Sequence, residues 1–93
     1  MRKWILVEND EDKFIIWVKP ASKYDTTYYT TEKQESLLQR IVRENDIKFE
    51  DGYRYFIKFM RKYNMSELIN YLLEIKNSGY INNFEQVTIK IDN

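Results

Sequence analysis

The chain has 93 residues, of which 43% are hydrophobic and 32% are charged, with fifteen basic residues against fifteen acidic ones. These proportions are typical of a single folded domain spanning residues 1–93, and they exclude a disordered chain. The level charge disfavours a dedicated nucleic-acid-binding protein, because such proteins normally carry an excess of basic residues.

The residue types that the sequence lacks exclude several chemistries. It contains no histidine and no cysteine, which removes zinc fingers, thiol nucleophiles and Ser-His-Asp triads. Its two glycines, Gly52 and Gly79, lie too far apart for a phosphate-binding glycine loop. We therefore expect a protein that is not an enzyme and that uses no cofactor and no metal.

The distribution of apolar residues predicts a cytoplasmic protein without membrane contact. No run approaches the roughly 18 consecutive apolar residues of a transmembrane helix. The first residues also lack the apolar core of a signal peptide.

The N-terminal part of the sequence predicts a β-hairpin. Two short runs rich in β-branched and aromatic residues flank an acidic turn at residues 9–12. We expect Glu8 to pair with Lys13 and Trp4 with Trp17, because this register places opposite charges and two indole rings face to face. One face of the hairpin is then aliphatic, and the other carries Trp4, Leu6, Ile15 and Trp17.

The segment that follows the hairpin, residues 21–30, is polar and contains no glycine. It holds three tyrosines, Tyr24, Tyr28 and Tyr29. Three interpretations are open: an ordered loop whose rings pack on the core, a short third strand at the sheet edge, or a recognition loop. Amphipathic tyrosine rings suit the last of these because they are common at contact surfaces.

Capping and termination signals predict two helices, each with an ordinary apolar stripe. Thr31 and Gln34 form a capping-box pattern, which predicts a helix that reaches about Glu44. A later helix is predicted to begin at a cap formed by Asn64, with Glu67 as its reciprocal partner, and to end near residue 77. Gly79 follows it as a left-handed terminator.

Between these two, residues 51–63 predict a helix with an Asp51 cap and an unusually wide apolar surface. Its basic residues share one arc of roughly 100° when the segment is wound at about 100° per residue. The basic arc consists of Arg54, Lys58, Arg61 and Lys62.

The last element is a strand over residues 85–91 with strict alternation. Val87, Ile89 and Ile91 form its apolar side, and polar residues occupy the other side. The predicted fold is α+β: a small antiparallel sheet, made of the N-terminal hairpin and this C-terminal strand, with three helices packed on one face. The polar side of the last strand implies that the tryptophan face of the hairpin points away from the helices.

Two surfaces compete for function. The first is the tryptophan face with its neighbouring tyrosines, since exposed apolar patches on small proteins mark contact sites. We expect it to bind another protein or a second copy of the chain, and it comprises Trp4, Leu6, Ile15, Trp17, Tyr24, Tyr28 and Tyr29. The many Asn, Ile, Lys and Tyr residues have AT-rich codons, which favours an accessory or inhibitor protein of a phage or another mobile element.

The alternative is a nucleic-acid-binding regulator in which Arg54, Lys58, Arg61 and Lys62 contact phosphates. A small nuclease or toxin that works without a metal is the third hypothesis.

Overall fold

A computed structural model describes residues 4–21 and 28–92 of the chain. The elements in chain order are β1 (Ile5–Asp10), β2 (Lys13–Val18), α1 (Glu32–Glu44), β3 (Ile47–Phe49), α2 (Tyr53–Phe59), α3 (Lys62–Asn77), a 3-10 turn (Tyr80–Asn83) and β4 (Gln86–Ile91). The predicted α+β class is confirmed, and all three helices contribute buried side chains to one core.

The sheet is mixed, so the prediction of a purely antiparallel sheet is wrong. Its strand order is β1-β2-β4-β3, and β4 runs parallel to both of its neighbours. Only β1 and β2 are antiparallel. The chain crosses from β3 to β4 through α2 and α3, and such a crossover is what parallel neighbours require. The sequence did not predict β3, because three residues are too short for alternation to be recognised.

The predicted faces of the hairpin are correct, but the predicted register is wrong by two residues. Leu6, not Trp4, lies opposite Trp17, and Asp10, not Glu8, lies opposite Lys13. The turn contains only two residues, and the first of them, Glu11, has a φ of 52°. Two-residue loops are the commonest connections in β-hairpins, and their favoured turn types need residues with positive φ. A shift by two keeps every side chain on its face, because side chains alternate with a period of two.

The structure confirms the predicted capping box of α1 and the predicted glycine terminator after α3. The Thr31 hydroxyl accepts a hydrogen bond from the Gln34 backbone N–H at 3.1 Å, and the Gln34 side-chain oxygen accepts one from the Thr31 N–H at 3.0 Å. Gly79 has the left-handed backbone (φ 79°) that was predicted for it.

The apolar side of β4 lies in the core, as predicted. The buried sheet residues are Ile5, Phe14, Ile16, Val18, Ile47, Val87, Ile89 and Ile91.

The predicted helix over residues 51–63 is divided into α2 and the first turn of α3. The chain becomes extended at the buried residue Met60 (ψ 145°), and Gly52 rather than Asp51 stands before the first residue of α2. Hydrogen bonds to other parts of the chain replace those of a continuous helix: the Phe59 carbonyl accepts from the Ala21 N–H at 3.1 Å, and the Lys62 N–H donates to the Tyr28 carbonyl at 3.0 Å. We call residues 59–62 the α2–α3 junction.

The Asn64 side chain connects this junction to the sheet through hydrogen bonds. The residue is the third of α3 and only 1% exposed, so the predicted cap with Glu67 is wrong. Its side-chain oxygen accepts a hydrogen bond from the Arg61 N–H at 2.6 Å, and its amide nitrogen donates to the Lys19 carbonyl, just after β2, at 3.0 Å. One buried side chain therefore joins the end of β2 to the start of α3.

We predict that Asn64→Ala lowers the free energy of unfolding by about 2–4 kcal/mol, because it leaves a backbone donor and a backbone acceptor unsatisfied. Urea denaturation measures the change. Asn70→Ala on the exposed side of the same helix is the matched control and should stay within about 0.5 kcal/mol of the parent. Equal effects of the two substitutions would show that Asn64 does not have this role.

Candidate functional site

The candidate site is the side of the sheet that faces away from the core, which we call the outer face. Side chains alternate along each strand, so every second residue belongs to it. Its members are Leu6, Glu8, Asp10, Lys13, Ile15, Trp17, Lys48, Gln86, Thr88 and Lys90, and each of them is exposed or half-buried. The strand pairings arrange them in rows across the sheet, such as the row of Leu6, Trp17 and Lys90.

Trp17 lies near the middle of the outer face and contacts a side chain from each of the two adjacent strands. Its indole N–H donates to the Glu8 carboxylate at 3.0 Å. The Lys90 ammonium lies 5.1 Å from the centre of its ring, within the range of a cation–π interaction. Lys90 also forms an ion pair with Glu50 at 3.2 Å. These contacts orient the indole, which is half-buried on the outer face.

Three of the four hairpin residues predicted for the contact surface lie together on the outer face. Leu6 is 59% exposed and lies directly opposite Trp17, and Ile15 is half-buried beside them. Trp4 differs from the prediction. It precedes β1 and packs against the buried core, because the chain bends before the strand begins.

Two of the predicted tyrosines, Tyr28 and Tyr29, do not join this surface. Tyr24 lies outside the described residues. Tyr28 and Tyr29 are exposed, but they contact the α2–α3 junction on the helical side of the domain. Tyr28 meets the ring of Tyr63 edge-on at 6.5 Å, and the Arg61 guanidinium lies 4.5 Å from the centre of the Tyr29 ring.

The basic residues are not a single helical arc, because the helix that was to carry them is divided. Arg54 and Lys58 lie on α2, and Lys62 is the first residue of α3. Arg61, between the helices, is half-buried, and its guanidinium donates to the Lys58 and Met60 carbonyls at 3.2 and 3.0 Å. Arg61 therefore satisfies carbonyl groups at the end of α2, which leaves three exposed basic side chains.

The structure reveals a basic depression on the outer face that the sequence did not indicate. It has a volume of about 400 Å³ and is lined by Lys13, Ile15, Lys48, Phe49, Glu50, Gln86, Thr88 and Lys90. Because Lys90 pairs with Glu50, the positive charge left over comes from Lys13 and Lys48, and neither forms an ion pair within the described residues. The lysines come from three different strands, so no local pattern could have shown that they converge.

Two titratable groups among the described residues have a shifted pKa, and both lie elsewhere in the domain. A hydrogen bond and the positive charge of Lys76, 3.0 Å away, lower the pKa of the Glu44 carboxyl. Burial, followed by the negative charge of Glu35, raises the pKa of the Tyr53 hydroxyl. Neither group lies on the outer face.

Two other kinds of site, a metal site and a membrane span, are absent from the described residues. The described parts of the chain contain no group of three or more acidic side chains arranged to hold a metal ion. No helix within residues 4–21 and 28–92 is both long enough and apolar enough to cross a membrane. Comparison of the chain with known protein families, with curated proteins and with solved structures found no match. We therefore infer function from the chemistry of the outer face.

Arg61 and Lys62 have different roles, so their removal should affect the free energy of unfolding differently. Arg61→Ala should lower the free energy of unfolding by about 1–2 kcal/mol, because two carbonyls lose a charged donor. Lys62→Ala, at the next position, removes an exposed ammonium and should change it by about 0.5 kcal/mol or less. Thermal or urea denaturation distinguishes the two, and a harmless Arg61→Ala would contradict the assigned role.

Proposed function

We propose that this chain is a small non-enzymatic binding domain that recognises another protein through the outer face of its sheet. The observation that carries the proposal is the apolar strip formed by Leu6 and Trp17 beside the basic depression. Leu6 is 59% exposed although it lies in a regular strand opposite a tryptophan. Tryptophan is among the residues most enriched at the energetic centres of protein interfaces.

The strand directions support the same interpretation. Parallel strands usually have both faces covered, since their crossover helices lie on either side of the sheet. Here β2, β4 and β3 are parallel, but the helices bury only one of their faces. A partner that lies on the outer face would supply the second layer.

The charges of the outer face define the chemistry of that partner. Lys13 and Lys48 carry positive charge without an ion pair in the described structure, and together with Ile15 they line the basic depression. Glu8 and Asp10 place negative charge on the β1 side. Complementary charges orient partners and exclude wrong ones. We infer a partner segment in which an apolar side chain is flanked by acidic residues. An inhibitor of a host enzyme is the narrower form of the proposal, in which that enzyme carries the segment.

Selection from a random peptide display library against the purified domain tests the proposal. The enriched peptides should combine apolar and acidic residues. Leu6→Lys should weaken their binding at least about tenfold, which corresponds to about 1.4 kcal/mol. The exposed position of Leu6 predicts a change in unfolding free energy of only about 0.5 kcal/mol. The matched control, Lys58→Glu with Lys62→Glu on the helical side, should leave peptide binding unchanged.

The same variants test the nucleic-acid alternative, in which Arg54, Lys58 and Lys62 contact phosphates. That function predicts retention of a single-stranded oligonucleotide at low salt, where phosphate contacts are strongest. The double variant on the helical side would abolish this retention. If the oligonucleotide is retained in this way and no enriched peptide depends on Leu6, the protein-binding proposal is wrong.

A further inference from the structure

One edge of the sheet presents backbone groups that have no pairing partner among residues 4–21 and 28–92. The Lys19 N–H donates to the Trp4 carbonyl at 2.9 Å, which makes Trp4 and Lys19 a hydrogen-bonded pair of the β1–β2 ladder. Hydrogen-bonded and non-hydrogen-bonded pairs alternate in antiparallel strands, so every second residue of β1 bonds to β2. The remaining residues direct their N–H and C=O groups away from the sheet: Ile5, Val7 and Asn9. Within the described residues no backbone hydrogen bond reaches these groups, and we call them the β1 edge.

The two edges of the sheet differ in how they are protected. At the opposite edge β3 has only three residues, and its Phe49 carbonyl accepts a hydrogen bond from the Gly52 N–H at 3.3 Å. The β1 edge has six residues with no proline and no lysine. Its Leu6 and Val7 are 59% and 45% exposed, on opposite faces of the sheet. Natural edge strands normally carry charges, prolines or bulges that prevent pairing. This edge has no proline and no bulge in its pairing with β2, and its two charges, Glu8 and Asp10, lie in its second half.

We propose that a second copy of this chain pairs with the β1 edge in antiparallel orientation, about a two-fold axis at Leu6. Leu6 then lies opposite Leu6 of the second copy, and Ile5 lies opposite Val7. The two pairs of Ile5 with Val7 exchange about four backbone hydrogen bonds. A two-fold axis requires a surface that complements itself, and the apolar centre of β1 meets this requirement.

The charges on β1 select this register over its neighbours. Within the three outward residues, only axes at Leu6, Val7 or Glu8 bring more than one pair of outward backbone groups of the two copies together. An axis at Glu8 would place two carboxylates directly opposite each other, which destabilises a sheet. An axis at Val7 would place Leu6 against Glu8. With the axis at Leu6, the acidic residues of the two copies lie at opposite ends of the interface.

The dimer joins two four-stranded sheets into one. The outer faces of the two copies become continuous, and the apolar strip runs from one Trp17 through both Leu6 side chains to the other Trp17. The contact is small, so we expect a reversible equilibrium with a dissociation constant between about 1 µM and 1 mM. The proposal concerns the edge of the sheet and does not rest on peptide binding by the outer face.

Sedimentation equilibrium over this concentration range tests the dimer. The apparent mass should rise from the 11.5 kDa of the monomer towards twice that value. Val7→Pro should hold the protein at the monomer mass, because it removes an N–H that the proposed dimer uses and that bonds to no described residue of the monomer. Proline is tolerated at an edge position whose N–H points away from the sheet. Val7→Thr keeps the N–H and the β-branched shape, and it should still dimerise.

A second measurement on the parent protein does not depend on the folding of a variant. Hydrogen exchange of the Ile5 and Val7 amides should slow as the protein concentration rises. A monomer mass and unprotected amides at about 1 mM would overturn the proposal, as would a folded Val7→Pro protein that still dimerises. Val7→Pro leaves Leu6 and Trp17 in place, so peptide binding by this variant reports on the outer face alone.

Discussion

The buried amide of Asn64 is the interaction on which the arrangement of the layers depends. Its oxygen and nitrogen hold groups that belong to different layers, the start of α3 and the chain just after β2. A buried amide must satisfy both of its ends, so only a narrow range of helix positions relative to the sheet is compatible with it. The break between α2 and α3 follows from the same constraint, because Arg61 must turn its N–H towards Asn64.

The stability of the outer face comes from contacts within the sheet, and this bears on how it would bind. Trp17 is oriented by Glu8 on one neighbouring strand and by Lys90 on the other. A side chain that is already held in place loses little conformational freedom when a partner arrives. The domain can therefore remain folded alone and still present a rigid aromatic group to a partner.

Much of the fold could be predicted from local patterns in the sequence. The Thr31 capping box, the left-handed Gly79 and the alternation of Val87, Ile89 and Ile91 each depend on neighbouring residues, and each is found where it was expected. The two faces of the hairpin were also predictable, because alternation does not depend on the length of the turn. The register did depend on it, and the acidic residues 9–12 fitted a two-residue and a four-residue turn equally well.

The features that could not be predicted all arise from contacts between distant residues. The break at Met60 is stabilised by Ala21 and Tyr28, which lie more than thirty positions away. The insertion of β4 between β2 and β3 decides which lysines meet on the outer face. For this reason Leu6, Ile15 and Trp17 could be placed on one surface from the sequence, since they share a hairpin. Lys48 could not, because β3 was not predicted, and its approach to Lys13 and Lys90 depends on the strand order.

The position of β4 has a consequence for the order in which the domain forms. β4 lies between β2 and β3, although it is the last strand of the sheet to be synthesised. Until residues 86–91 are available, β2 and β3 have no common neighbour, and each exposes an apolar edge. Pairings between distant residues form slowly, because the intervening chain must be ordered first. Completion of the core therefore waits for residues 86–91, and the partly synthesised chain is exposed to aggregation until these residues have left the ribosome.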